Sequence, residues 1–194
     1  VSPDSNAPMV EMAKQALEYG LDVMCLTDHC DLLSLEGERT LDYDWQVVLR
    51  ERKQMLDAFG TKLDLPLGIE FGMAHLYPEA AEKILSQPGL DFVIGSCHNM
   101  DEKDGGRDFF MLSYDTLDEC YQALDNYFVS MEKMAAAPYY DVVGHVIYPL
   151  RYMNGPYDTP SLDRYRDQIR QILRLAIDSG RGIEINTWKG QTLE

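Results

Sequence analysis

Apolar positions fall into two alternating rhythms along this chain. Met9, Met12, Ala13, Ala16 and Leu17 recur at spacings of three and four, which predicts a helix with one apolar face. Ser5 or Asn6 can cap it, Pro8 suits its first turn and Gly20 supplies its stop. Residues 21–26 then form an apolar run of strand length that ends on Thr27-Asp28-His29. Residues 30–44 are polar and irregular, as a loop over that strand end should be. Trp45, Val48, Leu49, Arg52, Met55, Leu56 and Phe59 restore the helical spacing, closed by Gly60. A strand over 65–69 stops at Glu70, and a short helix follows over 78–87. Residues 90–94 are almost wholly apolar, as in a strand covered on both faces, and run on to Gly95-Ser96-Cys97-His98.

The second half repeats the scheme. Residues 99–113 read as a charged loop. Thr116 and Glu119 have the spacing of a capping box. Leu117, Cys120, Leu124, Tyr127, Phe128 and Met131 follow on one helical face. Residues 140–143 predict a strand running into Gly144-His145, and residues 148–159 a loop rich in Pro, Tyr and Gly. Leu162, Tyr165, Ile169, Leu173, Ala176 and Ile177 mark a last helix stopped by Gly180. A strand over 182–185 ends at Asn186-Thr187. Helix and strand in alternation predict βα units and a parallel sheet, in one domain over residues 1–194. Ligands of such folds bind at the carboxyl ends of the strands. Polar residues at all five ends favour a closed or nearly closed barrel over an open sheet.

Composition narrows the class. With 194 residues, 45% hydrophobic and 26% charged, the chain can bury one sizeable core. Its 33 acidic and 17 basic residues give a net charge of -16, which repels phosphate backbones and disfavours a partner of long nucleic acid. The four cysteines form no C-x-x-C pair, and Cys25 and Cys97 lie in apolar runs, as buried thiols of a reduced cytoplasmic protein would. No apolar stretch is long enough to span a membrane, and no signal peptide is visible. The first residue is Val, as in a segment of a longer protein.

The chemistry is concentrated at the strand ends. Of four histidines, His29, His98 and His145 sit there, together with Glu70. Imidazole and carboxylate ligands suit Zn²⁺, Mn²⁺ or Fe²⁺. Any one of them alone reads as an ordinary hydrogen-bonded group, but four at equivalent places point to a shared metal site. Asp28 neighbours His29 and must point the other way, as a supporting or structural group. His75 follows Glu70 in a loop, not at a strand end, and reads as a surface or supporting histidine. Arg107 and Arg151 lie in loops after two of the proposed ligands, where each suits either an anion clamp or a surface salt bridge. There is no Gly-rich phosphate loop, nucleophilic serine elbow or Cys-His pair at a known spacing.

In this order, Thr27-Asp28-His29, Gly68-Ile69-Glu70, Gly95-Ser96-Cys97-His98 and Gly144-His145 resemble the PHP (polymerase and histidinol phosphatase) superfamily, nearest its bacterial histidinol-phosphatase branch. Ser2-Pro3-Asp4-Ser5 looks like the tail of that family's first motif. The resemblance implies a distorted seven-stranded β/α barrel with up to three divalent ions at its mouth. It also implies that Glu70 bridges two ions, that His98 and His145 complete one of those sites, and that Asp4 and His29 serve the third. The family's His-x-His and Asp-x-His strands are expected before Val1 and after Glu194, so this α/β barrel should lack its first and last strands.

The function so implied is hydrolysis of a small-molecule phosphate ester, L-histidinol phosphate first, by metal-activated water and without a further catalytic side chain. Another PHP phosphoesterase acting on nucleotides, and a catalytically inactive binding module, are the alternatives. Oligomeric state is left open by the sequence.

Overall fold

Strand follows helix through the computed structural model, which describes residues 7–40 and 43–186. Among them α1 (Met9–Glu18) leads to β1 (Leu26–Asp31), and α2 (Trp45–Phe59) to β2 (Leu67–Gly72). Then come α3 (Pro78–Leu85), β3 (Phe92–Ser96), α4 (Leu117–Ala136), β4 (Val142–Val143), α5 (Arg166–Asp178) and β5 (Gly182–Ile183). All pairings are parallel and the strand order is β1-β2-β3-β4-β5. Spatial order thus equals chain order. That is the winding of a β/α barrel, not of a sheet whose order reverses at a switch point.

The predicted helices form because each has one face to bury. Asp44 caps α2, accepting from the amides of Gln46 and Val47 at 3.1 Å each. The Thr116–Glu119 capping box starts α4 as the spacing predicts. Along α4, Cys120, Leu124, Tyr127, Phe128 and Met131 are all fully buried. They pack in one core with Leu67, Ile69 and Phe71 of β2. Burying a side chain of this size contributes about 1.5–3 kcal/mol, so β2 and α4 anchor the fold. The caps expected from Ser5 or Asn6 lie outside the described residues, and α1 begins after Pro8 without a side-chain cap.

Strand limits differ from the sequence expectation. The first strand begins at Leu26, where the apolar run of 21–26 ends, and continues through His29 to Asp31. Residues 21–25 make only an isolated bridge, Val23 to Asp64. Pro66 stands in the facing segment and has no N–H, so the regular ladder starts beyond it, with Leu26 N–H donating to the Pro66 carbonyl. The second and third strands likewise shift toward their polar ends, and β4 and β5 are each two residues long. The polar residues first read as strand stops therefore lie within the ladder at His29 and Glu70, and just beyond it at His98 and His145.

Candidate metal centre

Register brings these residues together. His29 of β1 pairs with Glu70 of β2, and Glu70 with Ile94 of β3. Side chains alternate along a strand, so Ser96 and His98, two and four residues past Ile94, stay on the same face. Ser96 Oγ donates to Glu70 Oε1 at 2.8 Å. Gly144 N–H donates to the Gly95 carbonyl and extends the β3–β4 pairing to His145. His145 is then held by its backbone: its N–H donates to Glu184 Oε2 at 2.9 Å and its carbonyl accepts from Tyr127 Oη at 2.7 Å.

Three donor atoms converge as a result. Glu70 Oε1 lies 2.9 Å from His98 Nε2 and 2.8 Å from His145 Nε2, and the two nitrogens are 3.1 Å apart. A second set, His29, Asp31 and His98, lies on the other side of the His98 ring. Asp31 Oδ1 is 2.7 Å from His98 Nδ1, and Asp31 Oδ2 is 3.3 Å from His29 Nδ1. His29 Nε2 stands 3.7 Å from the other Glu70 oxygen, Oε2.

This donor set suits a divalent cation. With the Nδ1 proton of His98 directed at Asp31, its Nε2 presents a lone pair to a carboxylate oxygen and to a second imidazole nitrogen. Lone pairs do not attract one another at about 3 Å, whereas around one ion with bonds near 2.0–2.1 Å they form a normal shell. Charge tells the same story. Burial alone would raise the Glu70 pKa, but the His145 and His98 rings that face it outweigh burial and hold the group well below the usual carboxylate range. Burial would raise Asp31 too, and is outweighed by the charge of His98 and the hydrogen bond from His29. Burial disfavours a charged His98, yet Asp31 and Glu70 together raise its pKa well above that of free imidazole. Both carboxylates are thus held in the ionised form.

Asp31 is a candidate site residue that the sequence expectations leave out. The sequence points instead to Asp28, which strand alternation turns to the opposite face from His29. Period-two alternation from His29 leads to Asp31 once the strand is known to run that far. Glu184 is a second omission; nothing local marks it as the partner of a backbone amide 39 residues earlier.

The other predicted residues divide. Arg151 is half-buried with its guanidinium 4.9 Å above the Tyr148 ring, which in turn lies 5.0 Å from His145 and 5.1 Å from His98. Arg107 is exposed and donates to the Met111 carbonyl at 2.9 Å. His75 sits in a short 3-10 turn with both ring nitrogens buried and no hydrogen-bond partner among the described residues. Its pKa is depressed to about 4, chiefly by burial and then by the charge of Lys133. Asp4 lies outside the described residues.

A cavity of about 380 Å³ opens beside His29 and Asp31, walled also by Leu33, Leu35, Tyr43 and Asp108. Asn99, buried, ties its two covering loops by donating to the Ser34 and Gly106 carbonyls at 2.7 and 2.8 Å. A second cavity of about 370 Å³ lies between α4 and residues 100–104 and shares no residue with the cluster.

The PHP domain family matches residues 1–188. The chain belongs to that family. A histidinol-phosphatase of Lactococcus lactis is 24% identical over 198 residues, covering 96% of this PHP chain and 68% of the relative. A Deinococcus radiodurans protein, provisionally named a histidinol-phosphatase, is 27% identical over 183 residues, 91% of this chain and 65% of its own. The chain thus spans about two thirds of the length of these curated relatives. Among solved structures, the L. lactis histidinol phosphate phosphatase, in complex with zinc, L-histidinol and phosphate, superposes with a TM-score of 0.73 at 26% identity, over 96% of this chain and 69% of the other. A Listeria monocytogenes structure at 16% identity has a TM-score of 0.75 over 92% and 76% of the two chains, a likeness of fold. Like these relatives, the PHP chain is an α/β fold on a parallel sheet of barrel winding.

Proposed function

We propose that this PHP domain carries the metal-dependent centre of a phosphomonoesterase that hydrolyses L-histidinol phosphate to L-histidinol and phosphate, a step of histidine biosynthesis. The observation that carries the reading is the meeting of Glu70 Oε1 with His98 Nε2 and His145 Nε2 at 2.8–2.9 Å. A family relative with this fold binds zinc, L-histidinol and phosphate.

Glu70, His98 and His145 would hold one divalent ion, zinc, manganese or iron, with Glu70 also facing a neighbouring one; up to three ions would fill the complete mouth, with Asp4 and His29 at the third. Such ions supply charge against the phosphoryl oxygens and a water of lowered pKa. The protein's part is orientation. Asp31 and Glu184 hold His98 and His145 in place. Arg151, close to the centre through Tyr148, is the better placed clamp for the phosphate; Arg107 points its guanidinium at Met111. The ester's organic part would enter the cavity beside His29. Cys30 and Cys97 are buried free thiols and Cys25 a half-buried one, with burial pushing Cys25 and Cys30 up to about 11 and 12, which suits a cytoplasmic enzyme.

The test is phosphate release from L-histidinol phosphate, nucleoside monophosphates and a short oligonucleotide, with and without a chelator. Preferential turnover of the first, abolished by the chelator and restored by Zn²⁺ or Mn²⁺, is expected. Preference for a nucleotide would reassign the substrate, and no turnover of any would make the domain a binding module.

A further inference from the structure

We propose that Asp31 is a positioning residue that fixes the rings of His29 and His98 together and is not itself a ligand, an inference that rests on the metal-centre reading of Glu70, His98 and His145.

Asp31 follows His29 by two residues in β1, so both project from one face of the sheet. Its two oxygens address two different rings: Oδ1 meets His98 Nδ1 at 2.7 Å and Oδ2 meets His29 Nδ1 at 3.3 Å. An ionised carboxylate only accepts hydrogen bonds, so it selects the tautomer with a proton on Nδ1 for each ring. Each Nε2 is then a lone pair aimed into the mouth. The Nε2 of His98 faces Glu70 Oε1 and that of His29 faces Glu70 Oε2. One carboxylate behind the rings therefore turns two imidazoles toward opposite oxygens of the carboxylate in front.

The contact pattern separates this role from that of a ligand. Around Glu70, both imidazoles approach the same oxygen and each other, as donors around one ion do. Around Asp31, each imidazole takes its own oxygen, as two hydrogen bonds do. Space has been left for the arrangement as well. Asp31 pairs with Gly72, and Gly72 with Ser96, so Asp31 reaches the His98 ring across the intervening strand. A Cβ on Gly72 would stand 1.7 Å from Asp31 Oδ1 and 3.2 Å from His98 Nδ1.

The experiment measures Zn²⁺ affinity of the whole chain by chelator competition, and records long-range ¹H–¹⁵N spectra of the histidine rings, for wild type, Asp31→Asn and Asp31→Leu. Zinc-loaded wild type should show His29 and His98 protonated at Nδ1 and ligating through Nε2. Asp31→Leu should bind zinc about 10–100-fold more weakly, as losses of groups behind metal ligands do, and should lose both Nδ1–H signals. Asp31→Asn, the same shape with one acceptor oxygen, should fall between. Ligation of zinc by His98 through Nδ1 would overturn the proposal, as would unchanged affinity and unchanged Nδ1–H signals in Asp31→Leu. Wild type that takes up no zinc overturns the metal-centre reading instead. The metal-free spectra then decide for Asp31: Nδ1–H signals on both rings that vanish in Asp31→Leu support it, and their absence overturns it.

Discussion

A Cβ on Gly72 would sit 1.7 Å from Asp31 Oδ1, inside the space that the carboxylate occupies. The glycine is thus needed for a close approach between Asp31 of β1 and His98, just past β3, over the backbone of β2. Any side chain here pushes Asp31 off His98.

Gly72→Ala should therefore damage the centre although it adds a single methyl. We expect about 1–3 kcal/mol of lost stability from overpacking and about 10–100-fold weaker zinc binding. Thermal melting and chelator competition measure the two. Wild-type values for both would mean that Asp31 has room to move.

Glu70→Ala should remove more bound metal than any other single substitution. Its Oε1 meets two imidazoles while its Oε2 faces a third, so three rings lose their shared carboxylate at once. Elemental analysis should find most of the metal gone. Phosphate release should fall by at least about 10²-fold, since several kcal/mol of charge stabilisation leave with the ion. Full metal content in the variant would take Glu70 out of the coordination shell.

Arg151→Ala should raise KM for a phosphomonoester and leave bound metal unchanged. A charge-assisted bond from guanidinium to phosphate contributes about 1.5–3 kcal/mol, or about 10–100-fold. Arg107→Ala should change KM much less. Steady-state kinetics on both variants decide, and the reverse ranking would move the clamp to residues 99–113.

Acid should destabilise the protein through His75. Its pKa is lowered from 6.5 to about 4 in the folded chain by burial, so the unfolded chain binds the extra proton first. The stability of the neutral buried ring is complete above pH 6.5 and is lost as pH falls from 6.5 through about 4. Compared with His75→Leu, wild type should lose on the order of 1–2 kcal/mol more between pH 7 and 5. Urea unfolding of both proteins across that range measures it, and parallel curves would refute the assignment.

Much of this protein follows from its sequence by itself. Helical spacing placed α1, α2 and α4, because an amphipathic face is written in neighbouring residues and is buried wherever the helix docks. Alternation of helices with short apolar runs determined the parallel sheet. The residue types at the ends of those runs marked His29, Glu70, His98 and His145 as a set. Tertiary structure alone decided the rest. Strand limits depend on the facing chain, as Pro66 illustrates by delaying the start of β1. Asp31 and His98 are 67 residues apart, and their contact exists only through a register that lays Gly72 between them. Glu184 reaches the His145 amide across the β4–β5 pairing, and Arg151 is set apart from Arg107 by the ring of Tyr148 beneath it. Local propensity acts over a few residues, whereas hydrogen-bond register and the space left by an absent Cβ join distant segments, and those two features shape the centre.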